Sequence, residues 1–210
     1  MRMKNKKIEI KPPGGKANVR KGRFGIQTHE IRIIGGLWKR TKLVVSNKPG
    51  LRPSPDRVRE TLFNWLGQDL SGWRCLDAFA GTGVLGFEAA SRGAQEVCIV
   101  EQDPSLIIQL HTVKDLLKAD VVKIIQGNAQ FLDKTISDKG WDLIFLDPPF
   151  EVLYLAALLK TSVGMLSKSG FIYLESPRKW SDVDLLEINL GIYRYMKAGA
   201  VHAHLLKNLE

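Results

Sequence analysis

The first residues that could take part in binding or catalysis are a glycine-rich segment and a glutamate at a fixed distance after it. Gly81, Gly83 and Gly86 follow an apolar run and satisfy G-x-G-x-x-G, and Glu101 lies 20 residues after Gly81. Glycines let a backbone approach a ligand closely, and a carboxylate at this spacing accepts hydrogen bonds from ribose hydroxyls. The pattern therefore predicts a nucleoside cofactor bound where a strand turns into a helix.

Asp77, four residues before Gly81, bears on which nucleoside cofactor this is. A dinucleotide would have its pyrophosphate at the helix N-terminus. S-adenosylmethionine has no phosphate, but its sulfonium and ammonium groups favour a nearby carboxylate. The run D-x-F-x-G-x-G, which starts at Asp77 and includes Phe79, resembles the first motif of Rossmann-like methyltransferases.

This resemblance implies roles for residues at three successive strand ends. Glu101 would bind the ribose, Gln102 would flank it, and the sequence QGNA would contact the adenine through Asn128. The cofactor-binding residues expected on this basis are Asp77, Phe79, Gly81, Gly83, Glu101, Gln102, Asn128 and Ala129.

The second chemical motif is Asp147-Pro148-Pro149-Phe150, at the end of another apolar run. Proline has no backbone N–H group and a fixed φ angle, so a strand must stop there, and a simple strand stop is one interpretation. The motif also resembles the catalytic motif of methyltransferases that act on exocyclic amino groups. In that interpretation the Asp147 carboxylate and the Pro148 carbonyl accept the amine hydrogens, Pro149 fixes the loop and Phe150 stacks on the base. Attack in line with a sulfonium needs no metal, so positioning and electrostatics determine the rate.

The elements that position these motifs alternate between strand and helix from residue 74 onwards. Continuous apolar strands separated by helices predict a mostly parallel sheet covered on both faces, and residues 184–208 predict two antiparallel strands at one edge. We expect an α/β, Rossmann-like class I methyltransferase fold with a seven-stranded sheet. The predicted strands are 74–79, 96–101, 121–127, 141–147 and 170–176, and the predicted helices are 84–93, 104–119, 129–137 and 152–166.

The segment before this alternation divides into two predicted parts. Residues 1–29 are rich in Lys, Arg, Gly and Pro without apolar periodicity, which predicts a flexible basic arm. Residues 30–70 contain two short strands around Gly35-Gly36 and a helix over 54–67, with Ser54 as the predicted N-cap and Pro55 at the first helical position. Residues 71–210 form the predicted cofactor-binding catalytic domain.

Charge is distributed unevenly between the ends of the chain. Residues 1–60 hold 17 Lys/Arg and four Asp/Glu, whereas residues 61–210 hold 14 Lys/Arg and 18 Asp/Glu. A basic first quarter on a slightly acidic body favours a polyanionic partner, with a solubilising tail as the alternative. No apolar run is long enough for a transmembrane span, and the basic N-terminus lacks the apolar core of a secretory signal. Cys75 and Cys98 lie in apolar runs, as expected of buried thiols in a reducing cytoplasm.

The order of longer motifs is similar to that of one methyltransferase family. IRIIGGLWKRTKL, PGLRPSPDRVRETLFNWL, CLDAFAGTGVLGFEAASRGA, VEQD, DPPF and IYLES resemble, in this order, the bacterial small-subunit ribosomal RNA guanine-N2-methyltransferases of the RsmD type. The likeness covers about residues 30–180, and LRPSPDRVRETLFNWL is its most specific part. It implies transfer of one methyl group from S-adenosylmethionine to N2 of a guanine in small-subunit ribosomal RNA, within an assembling small subunit (30S particle). A monomeric, cytoplasmic enzyme without a metal is expected.

Basic residues of the first quarter are the candidates for contact with RNA phosphates. Arg57 and Arg59 cannot both lie on the apolar face of their predicted helix, so at least one faces solvent or ligand. The RNA-binding candidates are Arg32, Arg40, Lys42, Arg52, Arg57 and Arg59.

Three alternatives remain open from the sequence. One is a non-catalytic RNA-binding module on a methyltransferase fold, although Asp77, the glycine loop and DPPF argue against lost catalysis. The motif DPPF also permits an adenine-N6 methyltransferase acting on DNA or RNA. A nicotinamide-dependent oxidoreductase using NAD would explain the glycines and Glu101, but it leaves DPPF and the basic quarter without a purpose.

Overall fold

The structure is a computed structural model. It describes residues 28–46, 48, 51, 54–131, 136, 140–149 and 154–209 of the 210-residue chain. The predicted basic arm, residues 1–29, therefore lies almost entirely outside the described residues.

A seven-stranded sheet forms the centre of the molecule. Its strand order is β5-β4-β3-β6-β7-β9-β8, with parallel pairing from β5 to β7 and antiparallel pairing of β9 with both of its neighbours. The predicted mostly parallel sheet with an antiparallel edge pair is confirmed. The strands of this sheet are β3 (Arg74–Asp77), β4 (Glu96–Glu101), β5 (Val122–Gln126), β6 (Trp141–Leu146), β7 (Leu166–Ser176), β8 (Leu190–Ala198) and β9 (Val201–Asn208).

Helices cover both faces of the sheet, as the continuous apolar strands require. Successive strand residues contribute to different cores: Leu143 and Phe145 pack in one cluster, and Ile144 and Leu146 in the other. The first cluster includes apolar residues of α1, α2 and α3, and the second includes those of α4 and α5. The helices whose bounds are described are α1 (Asp56–Leu66), α2 (Val84–Ser91), α3 (Pro104–Leu117), α4 (Leu155–Met165) and α5 (Asp182–Leu186).

The first strands form a separate antiparallel pair, β1 (Thr28–Arg32) and β2 (Lys42–Ser46). This hairpin and α1 were predicted as a unit apart from the catalytic domain. Ile31, Ile33 and Leu43 are nevertheless buried in the first core cluster together with α1 and the glycine-loop helix α2. The hairpin therefore shares a hydrophobic core with the sheet.

A buried glutamate ties this N-terminal layer to α2. The Glu88 carboxylate accepts hydrogen bonds from the backbone N–H groups of Ile34 and Gly35, at 2.9 and 2.8 Å. It also pairs with the guanidinium groups of Arg59, at 3.2 Å, and Arg92, at 2.7 Å. All of these donors converge on one fully buried side chain, so removing it would leave several of them unpaired.

One local prediction is corrected, one lies mostly outside the described residues, and one helix was not predicted. Pro55, not Ser54, is the N-cap of α1, and the Ser54 side chain makes no capping bond because it points to carboxylates on other strands. The helix predicted over 129–137 begins as a 3-10 turn, Ala129–Phe131, and most of the remainder is outside the described residues. The short helix α5 was not predicted; Ser181 begins it with a capping box.

Two smaller observations complete the fold. Cys75 and Cys98 are free and buried, which confirms the prediction for the thiols. Within the described ranges, no helix combines the length and apolar character needed to cross a bilayer.

Candidate active site

Three carboxylates lie at the carboxyl edge of neighbouring parallel strands. Asp77 ends β3, Glu101 ends β4, and Asp147 directly follows β6. Since β4, β3 and β6 are adjacent in the sheet, their carboxyl ends meet at one edge, where ligands bind in open α/β sheets. The charge of Asp77 contributes to the raised pKa of Asp147.

Asp77 organises the glycine loop from beneath. Its Oδ2 accepts a hydrogen bond from the backbone N–H of Gly86 at 3.0 Å, inside the first turn of α2. That turn begins at Gly83, which has no side chain to cap it, so Asp77 supplies the acceptor instead. Burial raises the pKa of Asp77 to about 7, the Gly86 bond opposes this rise, and the Glu101 charge adds to it.

The three glycines of the motif serve different purposes. Gly81 and Gly83 have φ angles of +52° and +75°, which side chains rarely adopt. A methyl group at Gly83 would lie 2.4 Å from Leu110 Cδ2, and one at Gly86 would lie 2.8 Å from Ile99 Cγ1. Gly83 and Gly86 therefore allow α2 to pack closely on its neighbours. This leaves Gly81 as the motif glycine best suited to approach a ligand.

Glu101 fixes the other side of the loop. Its Oε2 accepts from the Gly81 N–H, and its Oε1 accepts from the Asp103 N–H, both at 2.8 Å. The side chain is half-buried. Each carboxylate oxygen has a second lone pair, so Glu101 can also accept bonds from vicinal hydroxyls at this edge.

Near this loop, Lys48 makes a contact that the sequence did not suggest. The Lys48 ammonium pairs with the Asp103 carboxylate and lies 3.2 Å from Ser105 Oγ. Hydrogen bonds from Lys48 and then Ser105 hold the pKa of Asp103 well below its usual range. A methyl group on Gly81 would be 3.0 Å from Leu51 Cδ1. Lys48 thus lies against the start of α3, and Leu51 lies against Gly81.

The remaining predicted cofactor residues lie around the same edge. Asn128 is exposed, and its Oδ1 accepts the Gln130 N–H at 2.8 Å, which shapes the 3-10 turn. Ala129 is buried, Gln102 is exposed, and Phe79 is half-buried against the second core cluster.

Asp147 lies beside the buried carboxylate of Glu175. Ser54 Oγ is 3.4 Å from Asp147 Oδ2 and 2.7 Å from Glu175 Oε1, and the Tyr173 hydroxyl donates to the same Glu175 oxygen at 2.7 Å. Register pairs Leu146 with Leu174, so Asp147 and Glu175 follow at equivalent positions of adjacent strands. Burial raises the pKa of Asp147 well above its ordinary value, and the charges of Glu175 and Asp77 raise it further.

The other residues of the DPPF motif are only partly described. Pro148 is buried and Pro149 is exposed, whereas Phe150 lies outside the described residues.

The RNA-binding candidates separate into exposed and buried residues. Arg32, Arg40, Lys42 and Arg57 are exposed, with Lys42 paired to Glu30 at 2.7 Å, and Arg52 lies outside the described residues. The prediction for Arg59 is corrected: its side chain has no exposed surface. Besides Glu88, Arg59 contacts the Asp56 carboxylate and the carbonyl oxygens of Arg32 and Ser54. It therefore holds the N-terminal layer together and is not available to a phosphate.

Sequence reasoning missed the Ser54, Tyr173 and Glu175 side chains as members of this site. Their signal was weak because a serine before a helix is an ordinary capping residue. IYLES contains Tyr173 and Glu175 two positions apart, which puts both side chains on one face of a strand. Only the pairing of β6 with β7 brings that face to Asp147.

Comparison with known proteins identifies the family of this chain. The family model described as conserved hypothetical protein 95 matches residues 31–207. Ribosomal RNA small subunit methyltransferase D from Escherichia coli K12 is 38% identical over 180 residues, covering 82% of this chain and 87% of that protein. The protein of the same name from Haemophilus influenzae is 42% identical over 181 residues, covering 79% of this chain and 92% of that one.

A solved structure agrees with the sequence relatives. The putative methyltransferase yhhF from Escherichia coli superimposes with a TM-score of 0.73 at 34% identity, covering 86% of this chain and 98% of that chain.

Proposed function

The chain belongs to the ribosomal RNA small subunit methyltransferase D family and is an rRNA methyltransferase; from that premise we propose that it methylates N2 of one guanine in small-subunit rRNA, with S-adenosylmethionine as the donor. The observation that carries the proposal is the position of Asp147. It follows β6 at the carboxyl edge of the sheet, beside the strand that ends in Asp77.

The residues of the glycine loop fit S-adenosylmethionine. When bound, this cofactor supplies a methyl group on a sulfonium sulfur. Glu101 would accept the ribose hydroxyls, and Gly81 would allow the backbone to approach the cofactor. Asp77 would favour its cationic groups, and a cation bound nearby would lower the pKa of Asp77 and so favour the carboxylate.

Asp147 and the Pro148 carbonyl would hold the substrate amine. The lone pair of an amino group on a heteroaromatic ring is delocalised and weakly nucleophilic. Two acceptors that bind its hydrogens would localise the lone pair and aim it at the methyl group. Phe150 would stack on the guanine, which must be exposed or extruded from its helix to reach this edge.

The RNA would lie across the basic N-terminal part. Exposed Arg32, Arg40, Lys42 and Arg57 and the basic residues of the first 29 positions would contact phosphates, which contribute affinity without sequence information. We propose the division into an arm (1–29), an RNA-facing layer (30–70) and a catalytic domain (71–210), acting as a monomer on an assembling small subunit in the cytoplasm.

The test is the identity of the methylated nucleoside. Small ribosomal subunits from a strain that lacks the enzyme are incubated with purified protein and labelled S-adenosylmethionine, and the digested rRNA is analysed by mass spectrometry. We expect one equivalent of N2-methylguanosine. N6-methyladenosine, or no methylated nucleoside, would overturn the proposal.

Asp147→Asn should lower the methylation rate by about 100-fold, the size of effect seen when one preorganised polar group is removed from an active site. S-adenosylhomocysteine should still raise its melting temperature. Asp142→Asn is the matched control: Asp142 lies on the same strand at its opposite end, where it accepts from Arg74 N–H and Ser167. An active Asp147→Asn enzyme would remove Asp147 from the mechanism.

A further inference from the structure

Beside Asp147, the hydroxyl hydrogens of Ser54 and Tyr173 are too few to form hydrogen bonds with both the Asp147 and Glu175 carboxylates. Tyr173 and Ser54 each have one hydroxyl hydrogen, and both oxygens lie 2.7 Å from Glu175 Oε1. Ser54 Oγ also lies 3.4 Å from Asp147 Oδ2, but its hydrogen is engaged by the shorter contact to Glu175. For the contact between Ser54 and Asp147 to be a hydrogen bond, the hydrogen must come from Asp147.

The surroundings favour one shared proton in this cluster. Glu175 is 4% exposed, Ser54 is 5% exposed and Asp147 is half-buried, so water solvates Glu175 poorly and two adjacent negative charges are disfavoured here. Among the described residues, two hydroxyls donate to Glu175, whereas Asp147 has only the longer contact to Ser54. Carboxylates this close titrate as a pair.

We propose that Ser54, Tyr173 and Glu175 form a proton-holding network behind Asp147, in which Ser54 passes one proton between the Asp147 and Glu175 carboxylates. These three are positioning residues for the reaction, and the inference rests on the proposed function. In the free enzyme the proton lies on Asp147. As the amine binds, Asp147 gives its proton to Ser54 Oγ while the Ser54 hydroxyl hydrogen moves to Glu175.

Charge and protons balance through the reaction. The transfer through Ser54 leaves Asp147 as a carboxylate that accepts from the substrate amine, and Glu175 as a neutral acid. When the nitrogen–methyl bond forms and the sulfur–methyl bond breaks, the bonding electrons stay on sulfur. The amine then gives one N–H proton to Asp147. The pair now holds two protons, and one leaves to solvent when the product dissociates.

Several elements contribute groups that act on Asp147. Glu175 and Tyr173 belong to β7, Asp77 belongs to β3, and Ser54 precedes α1. The charges of Glu175 and Asp77 raise the pKa of Asp147. In the proposed free enzyme Ser54 Oγ accepts from protonated Asp147, which favours that form further. Replacing Glu175 removes a negative charge and replacing Ser54 removes an acceptor, so either change should lower the pKa of Asp147.

The experiment compares two variants over pH. In single-turnover methylation of the rRNA substrate, Glu175→Gln and Ser54→Ala should each shift the acid limb of the rate profile to lower pH, by about one unit. Ser54→Thr keeps the hydroxyl and should restore the wild-type limb. Ser162→Ala is the matched control, since this buried serine donates only to the Leu158 carbonyl within α4 and should leave the limb unmoved.

A second measurement separates failure of the network from failure of the proposed function. Carbon-13 NMR titration of the Asp147 carboxyl group in the protein without RNA should show its pKa displaced downwards in both variants. An upward displacement in Ser54→Ala, or none in either folded variant, would overturn the network whatever the enzyme methylates. Normal displacements with no N2-methylguanosine formed would instead overturn the proposed function alone.

Discussion

At the residue scale, acidic residues of the site accept backbone hydrogen bonds that stabilise the glycine loop before any ligand binds. Asp77 was predicted from its place before the glycines, and its chemistry as a carboxylate follows from the sequence. Its hydrogen bond to the Gly86 N–H does not, because that contact depends on how α2 folds back over β3. The predicted capping role of Ser54 is wrong for a similar reason: its hydroxyl contacts a carboxylate far along the chain, and that contact depends on the fold.

Asp77 should make the stability of the protein depend on pH. Its pKa is about 7 in the folded state, raised chiefly by burial, against an ordinary value near 4 in the unfolded chain. The folded state thus binds the extra proton between these values, so this contribution is full below pH ~4 and is lost as pH rises towards 7. Between pH 4 and 7 the free energy of unfolding should fall less steeply in Asp77→Asn than in the wild type, by about 1.4 kcal/mol per pH unit.

Urea unfolding from pH 4 to 8 without cofactor measures this difference. Asp120→Asn, an exposed aspartate between α3 and β5, provides the control and should follow the wild type. Equal pH slopes for Asp77→Asn and wild type would contradict the assignment.

At the element scale, regular periodic segments were predictable and contact-dependent ones were not. The strands at 96–101 and 141–147 and the helix at 104–119 carry continuous apolar runs or a proline start, and they lie where predicted. The helix Asp182–Leu186 has only five residues, too few for a clear periodicity. Separation of residues 30–70 from the sheet rested on charge and motif boundaries, which do not report the buried contacts of Glu88 with that layer.

Glu88→Ala should lower the free energy of unfolding by about 3–5 kcal/mol, because two backbone N–H groups lose their acceptor and the buried Arg59 and Arg92 guanidinium groups each lose one carboxylate partner. Glu60→Ala replaces an exposed glutamate of α1 and should change stability by less than about 0.5 kcal/mol. Urea denaturation of both variants measures the difference. A loss for Glu88→Ala no larger than for Glu60→Ala would show that the network contributes little.

At the scale of the whole molecule, charge and fold divide between the two ends of the chain. The net charge of +9 arises from the first 60 residues, while the body that carries the sheet is slightly acidic. Within the described residues, Arg32, Arg40 and Lys42 of the hairpin region are exposed. The composition predicted an anionic partner, but it could not distinguish Arg59, which is buried, from Arg57, which is not.

Removing residues 1–27, which contain nine Lys/Arg and one Glu, should weaken rRNA binding and flatten its salt dependence. Each lost phosphate contact should reduce the slope of log affinity against log salt by about 0.7–0.9. Filter binding to small-subunit rRNA across a salt series measures both. A full-length variant with these nine residues changed to Gln should match the truncation, and an unchanged slope in either protein would make the segment a tail without an electrostatic role.

The hydrogen bond between Ser54 and Glu175 also has a consequence for biosynthesis, since it joins residues 121 positions apart. At about 10 residues per second, the ribosome makes Glu175 about 12 s after Ser54. The glycine loop and its carboxylates, Asp77 and Glu101, are translated in between. The glycine loop, Asp77 and Glu101 can therefore assemble on the nascent chain before Glu175 is made and can contact Ser54. The complete active site forms only late in the translation of this enzyme.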